Sequence, residues 1–415
     1  MTTAEDRVTD DPSGIELART YNHYDGETLL EPHERYAKMR EACPVAHTET
    51  FGGHYLFLRF DEVWTGYHEP ETFSSYPINI PPGLGQMDRL IPLEIDQPDH
   101  SHYRKIVDPL FAPKRIAVLE DRMRSHAVEM VEAMVAKREC DFVADFATPY
   151  PAAVFLELMG LPLEDRAKFD RWKDQIMHGA GAADDSDAAR DAVRAEAGFG
   201  LYAYFHAMIE ARRAEPTDDI VSTLLTSKFA GARDITEREV LNFCFLLFIA
   251  GLDTVTSTLG FSMMQLARRS EVREALAQDP TRIPKAIEEL LRFDSIVEPC
   301  RTVMRPCSVG GVALRTGDRI SMILAAANRD PRVFDRPDEL DIDRWPNKHV
   351  GFGAGKHRCL GNHLARLELR VAFEEIFKRM PEFSIPDDAD IRCYGGGVKG
   401  MENLPILIVP HEETD

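Results

Sequence analysis

The sequence has too little positive charge for a nucleic-acid binder. Its 49 Lys and Arg stand against 70 Asp and Glu, a formal net charge of −21, and binding phosphates needs a positive footprint that this total does not supply. The same deficit argues against attachment to anionic lipid surfaces. The seven cysteines, at 43, 140, 244, 300, 307, 359 and 393, include no C-x-x-C pair, and an odd number cannot all pair within one chain. A disulfide framework is disfavoured and a reducing cytoplasm expected. Met1 to Asp11 has no apolar run, so no secretory signal is expected. Fixed-period repeats and Pro- or Ser-rich linkers are missing too. Length alone suggests two or three domains, but one continuous fold over 1–415 is the simpler expectation.

What is present is an ordinary globular composition, 44% hydrophobic and 29% charged, able to bury a sizeable core. His47 to Phe60 alternates polar and bulky residues around Gly52-Gly53, a hairpin signal. Helical spacing then governs 104–138, 150–160, 163–178, 190–213 and 236–293. Two segments resist helix: Tyr76 to Gln86, rich in Pro and Gly, and Gly179 to Asp187, small and acidic. Each is either a lid or a plain exposed connection. After 294 come short β-like runs, Val309 to Leu314 and Arg319 to Leu324. The expected class is mainly α with smaller β-sheets: β-rich portions near 45–60, 297–325 and 383–410, helical portions near 61–293 and 362–380.

From Val240 to Ala267 the only charged side chain is Asp253. As a helix this run would be about 42 Å long. It exceeds the roughly 20 residues of a membrane span, but Asp253 and its polar neighbours near the middle favour a core helix. Ala250-Gly251-Leu252-Asp253-Thr254 combines a helix-weakening glycine with a carboxylate that needs partners. Two readings are open: a polar kink with Thr254 bonded back one turn, or a groove where a ligand approaches backbone beside an acid and an alcohol that relay protons.

Phe352-Gly353-Ala354-Gly355-Lys356-His357-Arg358-Cys359-Leu360-Gly361 precedes an amphipathic pattern from Asn362 to Arg379. Cys359 thus lies near a helix N-terminus beside three basic residues, a setting that favours thiolate over thiol. It reads as a ligand or a nucleophile. A zinc site with His357 and His363 lacks a second ligand pair at zinc spacing, and a cysteine hydrolase needs a base placed by the fold.

Residues 352–361 resemble the haem-binding cysteine loop of the cytochrome P-450 superfamily, 250–254 resemble its oxygen-binding helix motif, and Glu289-Leu290-Leu291-Arg292 matches its E-x-x-R. With Gly52-Gly53-His54 and Gly361-Asn362-His363-Leu364-Ala365-Arg366, the likeness extends along nearly the whole chain, to the bacterial class resembling camphor 5-monooxygenase. It implies a triangular helical prism with a long central helix around a buried haem b (iron protoporphyrin IX). Cys359 would be the axial iron ligand, Asp253 and Thr254 the proton relay, and Glu289 and Arg292 a structural ion pair. His100, Arg104, Arg301 and His357 would hold the propionates, and Phe352, Gly355, Gly361, Ala250 and Gly251 would border the cofactor. The i, i+4 spacing of His100 and Arg104 puts both on one helix face.

The resemblance further implies a cytoplasmic monooxygenase that uses O₂ and receives electrons from an NADH-dependent reductase through a [2Fe–2S] ferredoxin, since no flavin domain or dinucleotide glycine fingerprint is visible. Basic residues after Pro346, Lys356 and Arg366 among them, suggest the ferredoxin's docking surface. By the same likeness Asp88, Leu90, Leu246, Ile249, Val297, Gly397 and Val398 would line a substrate pocket. Gly397, where that class has a branched residue, would enlarge it. The expected substrate is a small apolar terpenoid or norisoprenoid, camphor-like or ionone-like. A haem-thiolate sensor without turnover is the alternative.

Overall fold

A computed structural model describes residues 12–83, 85–184 and 186–409; the reading of Met1 to Asp11 lies outside them. Packing gathers the described residues into two compact units, one from 12–82, 288–358 and 393–399, the other from 83–287, 359–392 and 400–409.

The first unit is built on a five-stranded sheet in the order Val45–Thr48, His54–Phe57, Arg319–Met322, Cys300–Val303, Phe73–Ser74. The first two strands form the expected antiparallel hairpin, while His54–Phe57 and Arg319–Met322 run parallel. Phe57, Val63, Phe73, Val303, Ile320 and Met322 make its core. The run Val309 to Leu314, read as one strand, is two: Cys307–Val309 and Val312–Leu314 turn back at Gly310-Gly311, both at positive φ, a conformation that glycine adopts without steric cost.

Behind this sheet a buried Glu298 accepts a hydrogen bond from Tyr21 and a longer one from Tyr36, 3.4 Å away. Burial raises its carboxyl from the usual range to about 7. The folded state therefore keeps a proton that the unfolded chain releases near 4.5. Stability is undiminished below that pH, falls as pH rises toward 7, and is flat above. Wild type at pH 8 should have lost on the order of 3 kcal/mol relative to pH 4 from this group. Glu298→Gln removes the slope, so urea unfolding at several pH values should show the variant gaining on wild type as pH rises. Parallel profiles would contradict this.

The second unit is helical. The expected run 104–138 is broken into Asp99–Val107, Pro113–Ile116 and Glu120–Lys137 with 3₁₀ turns between, because Pro109 and Pro113 cannot donate to a continuing ladder. The pattern 236–293 likewise divides into Glu237–Ala267, Ser270–Gln278 and Ile283–Phe293. The Glu237–Ala267 helix starts in a capping box, Thr236 and Glu239 satisfying each other's backbone N–H. It packs on Pro149–Met159, Arg166–His178, Asp187–Ala214 and Asn362–Arg379. It is long and apolar enough to cross a membrane, yet its most apolar stretch is 72% buried inside the protein, as a core helix would be.

Candidate functional site

The central helix is sealed on nearly every side. From Asn242 to Leu266 the only residues not buried are Leu247, Ala250, Gly251 and Thr254. Their spacing, i, i+3, i+4 and i+7, makes one stripe along one face. Small residues keep this stripe low: a Cβ added at Gly251 would meet only Phe155, at 3.9 Å. Thr254 donates to the Ala250 carbonyl at 2.7 Å, the bond back one turn of the first reading, and lies on the less buried stripe. Asp253, one residue away, points elsewhere. It is fully buried, and its Oδ1 lies 3.5 Å from Nε2 of His178, at the end of Arg166–His178 and a quarter exposed. The sequence carried no signal for this pairing, since 75 positions separate the two residues.

In the same unit Cys359 precedes the Asn362–Arg379 helix, whose Asn362 side chain donates to the Cys359 carbonyl at 2.8 Å. The helix starts at Gly361, where a Cβ would meet nothing within 4 Å. First-turn N–H groups and the helix dipole favour a thiolate here. His100 is buried, and Gln97, whose Oε1 accepts from Ser101, donates through Nε2 to its Nδ1 at 2.9 Å. That arrangement places the ring proton on Nε2, an N–H for an anion. Gln97 is a residue that the sequence reading missed, although its i, i+3 spacing from His100 could have suggested it. Arg104 donates through Nε to Asp108 at 2.6 Å.

In the first unit Arg301 is buried, stands over the Tyr67 ring at 5.2 Å and donates to the Cys300 carbonyl. His357 Nε2 lies 2.9 Å from Ser75 Oγ. Gly355 has φ +62, and a Cβ there would fall 2.6 Å from the Tyr67 carbonyl oxygen, so only glycine fits this turn of the loop. Phe352 is half-buried, and Lys356 is exposed.

Glu289 and Arg292 are buried, where a lone i, i+3 pair would more often lie on the surface. Arg292 is bidentate to Glu289 at 2.8 Å and also donates to the carbonyls of Asn328, Pro337 and Glu339. Glu289 in turn accepts from Arg344, Asn347 and the backbone of Asp341.

The carboxylate of Asp88 is held by both sides of the exposed Arg238 guanidinium, which compensates its charge. Gly397 does not open extra room, because an added Cβ would lie 2.4 Å from Oδ1 of Asn79. The basic run after Pro346 is smaller than its composition suggests, since Arg370 is paired with Glu120 and Glu374; Arg366 donates to Asn362. Of the other expected pocket residues, Leu90, Leu246 and Ile249 are buried, while Val297 and Val398 are half-buried and bridge each other.

Among the described residues no three His, Cys, Asp or Glu side chains gather as a metal-ligand group, which leaves the zinc arrangement unsupported. The residues do fit a flat group held by one thiolate: a Cys at a helix N-terminus, a low stripe on an apolar helix, and His and Arg donors suited to carboxylates.

A family model described as Cytochrome P450 matches residues 196–394. A steroid C26-monooxygenase of Mycolicibacterium smegmatis is 35% identical over 382 residues, covering 91% of this chain and 92% of its own length. The crystal structure of CYP101J2 is similar at a TM-score of 0.84 and 31% identity, over 94% of this chain and 96% of that one. CYP109E1 from Bacillus megaterium, solved in complex with testosterone, is similar at a TM-score of 0.82 and 28% identity, over 92% of this chain and 98% of its own.

Proposed function

Since the chain belongs to the cytochrome P450 family, we propose that it hydroxylates an unactivated C–H of a small terpenoid or norisoprenoid ring compound, with O₂ and with NADH electrons passed through a [2Fe–2S] ferredoxin. As a P450 monooxygenase it is an oxidoreductase whose cofactor is iron protoporphyrin IX. Thiolate-ligated haem supplies the O–O cleavage chemistry, and the protein binds substrate and meters protons.

The observation that carries this reading is the stripe at Ala250, Gly251 and Thr254 beside a buried acid. A sensor would need the thiolate but no such pair. Thr254 Oγ1, on the less buried face, donates to the Ala250 carbonyl and keeps its lone pairs to accept a proton, and Asp253 would take protons inward from His178, which is a quarter exposed. Cys359 would hold the haem iron, and His100, Arg104, Arg301 and His357 would neutralise the propionates. Leu90, Leu246 and Ile249 of the helical unit would offer apolar side chains to the substrate, as would Val297 and Val398 of the sheet unit. A steroid is the second reading, favoured by the steroid named in two of the similar proteins. Lys356 and Arg366 would dock the ferredoxin, in the cytoplasm.

Reconstitution with NADH, reductase and ferredoxin tests this. Product containing one oxygen atom from O₂ is expected, with first-electron transfer slowing as salt rises. In Thr254→Ala, NADH consumption should continue while product falls by on the order of 10-fold or more and peroxide rises, given that positioned proton donors are worth about 10²–10⁴ in rate. Undiminished coupling removes the relay; salt-independent reduction removes the docking surface.

A further inference from the structure

Asn79 is held where no sequence motif places it. The backbone around it is clamped to the sheet: Cys300 N–H donates to the Ile78 carbonyl at 2.8 Å, Thr302 to that of Tyr76 at 2.8 Å, and Arg319 to those of Pro77 and Asn79 at 2.8 and 3.0 Å. Gly397, facing it, is fixed as firmly. Its carbonyl accepts from Glu298 N–H at 3.0 Å, Val398 bridges Val297, and Lys399 N–H donates to the Ile296 carbonyl. An ideal Cβ at Gly397 would sit 2.4 Å from Oδ1, 3.2 Å from Cγ and 3.8 Å from Nδ2 of Asn79. The carboxamide therefore lies over the glycine, in space that any other residue would claim.

Asn79 is half-buried, as are Val297, Gly397 and Val398, and its side chain makes no hydrogen bond among the described residues. An amide with two N–H donors and an acceptor, carried on clamped backbone, thus lies against Gly397, next in the chain to Val398 and its bridge partner Val297. A few fixed polar groups in an apolar lining are what orient a ligand. We propose that Asn79 is a specificity-determining residue that hydrogen-bonds one oxygen function, a ketone or hydroxyl, on an otherwise apolar ring substrate. The proposal rests on the monooxygenase reading and narrows it: hydrocarbons of the same shape leave the amide unpaired and bind less well.

The test is binding, read as the haem spin-state shift in the full-length, haem-loaded protein. Two matched pairs serve as probes: β-ionone against the hydrocarbon lacking its carbonyl oxygen, and testosterone against androstane. Wild type should bind the oxygenated member of at least one pair about tenfold tighter, which corresponds to ~1.4 kcal/mol. Asn79→Leu should bring the ratio to within about twofold by weakening the oxygenated ligand alone. Gly397→Ala, which pushes the carboxamide aside while leaving it in the chain, should do the same. Equal ratios in wild type and both variants overturn the Asn79 assignment and leave the monooxygenase reading standing. Preference in the steroid pair alone keeps Asn79 and rejects the terpenoid. Absence of any shift with all four compounds rejects both substrate classes and Asn79 with them.

Discussion

Cys359→Ser protein, reduced under carbon monoxide, is expected to lack the long-wavelength Soret band of a thiolate-ligated haem, and its product formation should fall by more than 100-fold. The sulfur sits just before the Asn362–Arg379 helix, where unpaired first-turn N–H groups, the helix dipole and neighbouring Lys356, His357 and Arg358 all lower the cost of a negative charge. Serine fits the same space, so the loop should keep its shape, with Asn362 still bonded to the backbone carbonyl at 359. What is lost is an anionic, polarisable ligand. Outer-shell partners of a metal ligand are worth about 10–100-fold when removed, and the ligand itself must exceed them. A Soret position and turnover equal to wild type would remove Cys359 from the iron.

Arg292→Leu should destabilise the protein by about 3–5 kcal/mol, the cost of removing one partner from a buried ion pair. Both Arg292 and Glu289 are shut away from water, and three backbone carbonyls besides the carboxylate depend on the guanidinium. Leucine leaves the three carbonyls without this guanidinium and takes one of two arginines from the Glu289 carboxylate, which keeps Arg344, Asn347 and the Asp341 N–H. Arg292→Lys should recover only part of the loss, since an ammonium cannot reproduce the planar fork. Urea midpoints, or the yield of folded protein if the variant fails to accumulate, provide the measure. A midpoint unchanged in Arg292→Leu would mean that water replaces the guanidinium without penalty.

Much of the candidate site is legible in one dimension because its chemistry is local. The cysteine, its glycines and the following helix lie within 352–379, and helical spacing alone joins Ala250, Gly251 and Thr254. What resists reading is contact between distant segments. Nothing in the order of residues announces that His178 meets Asp253, that Arg238 takes up Asp88, or that Asn79 fills the space left by Gly397. Each depends on how separate elements pack, which no periodicity encodes. The fold shows the same division: the long helices were apparent, whereas their breaks at Pro109 and Pro113 and the reversal at Gly310-Gly311 follow from single residues inside otherwise favourable runs.

Both compact units are discontinuous in the chain: the first joins 12–82 to 288–358, and the second joins 83–287 to 359–392. A ribosome adds about 5–20 residues per second, so His54–Phe57 and Phe73–Ser74 wait tens of seconds for Arg319–Met322 and Cys300–Val303, the later strands they pair with. The central helix likewise emerges before the helix at 362–379 against which it packs. Neither core can close until nearly the whole chain has been synthesised. Chains cut short between residues 83 and 358 expose apolar surface in both units at once, which makes truncated products substrates for proteolysis and aggregation rather than smaller working proteins.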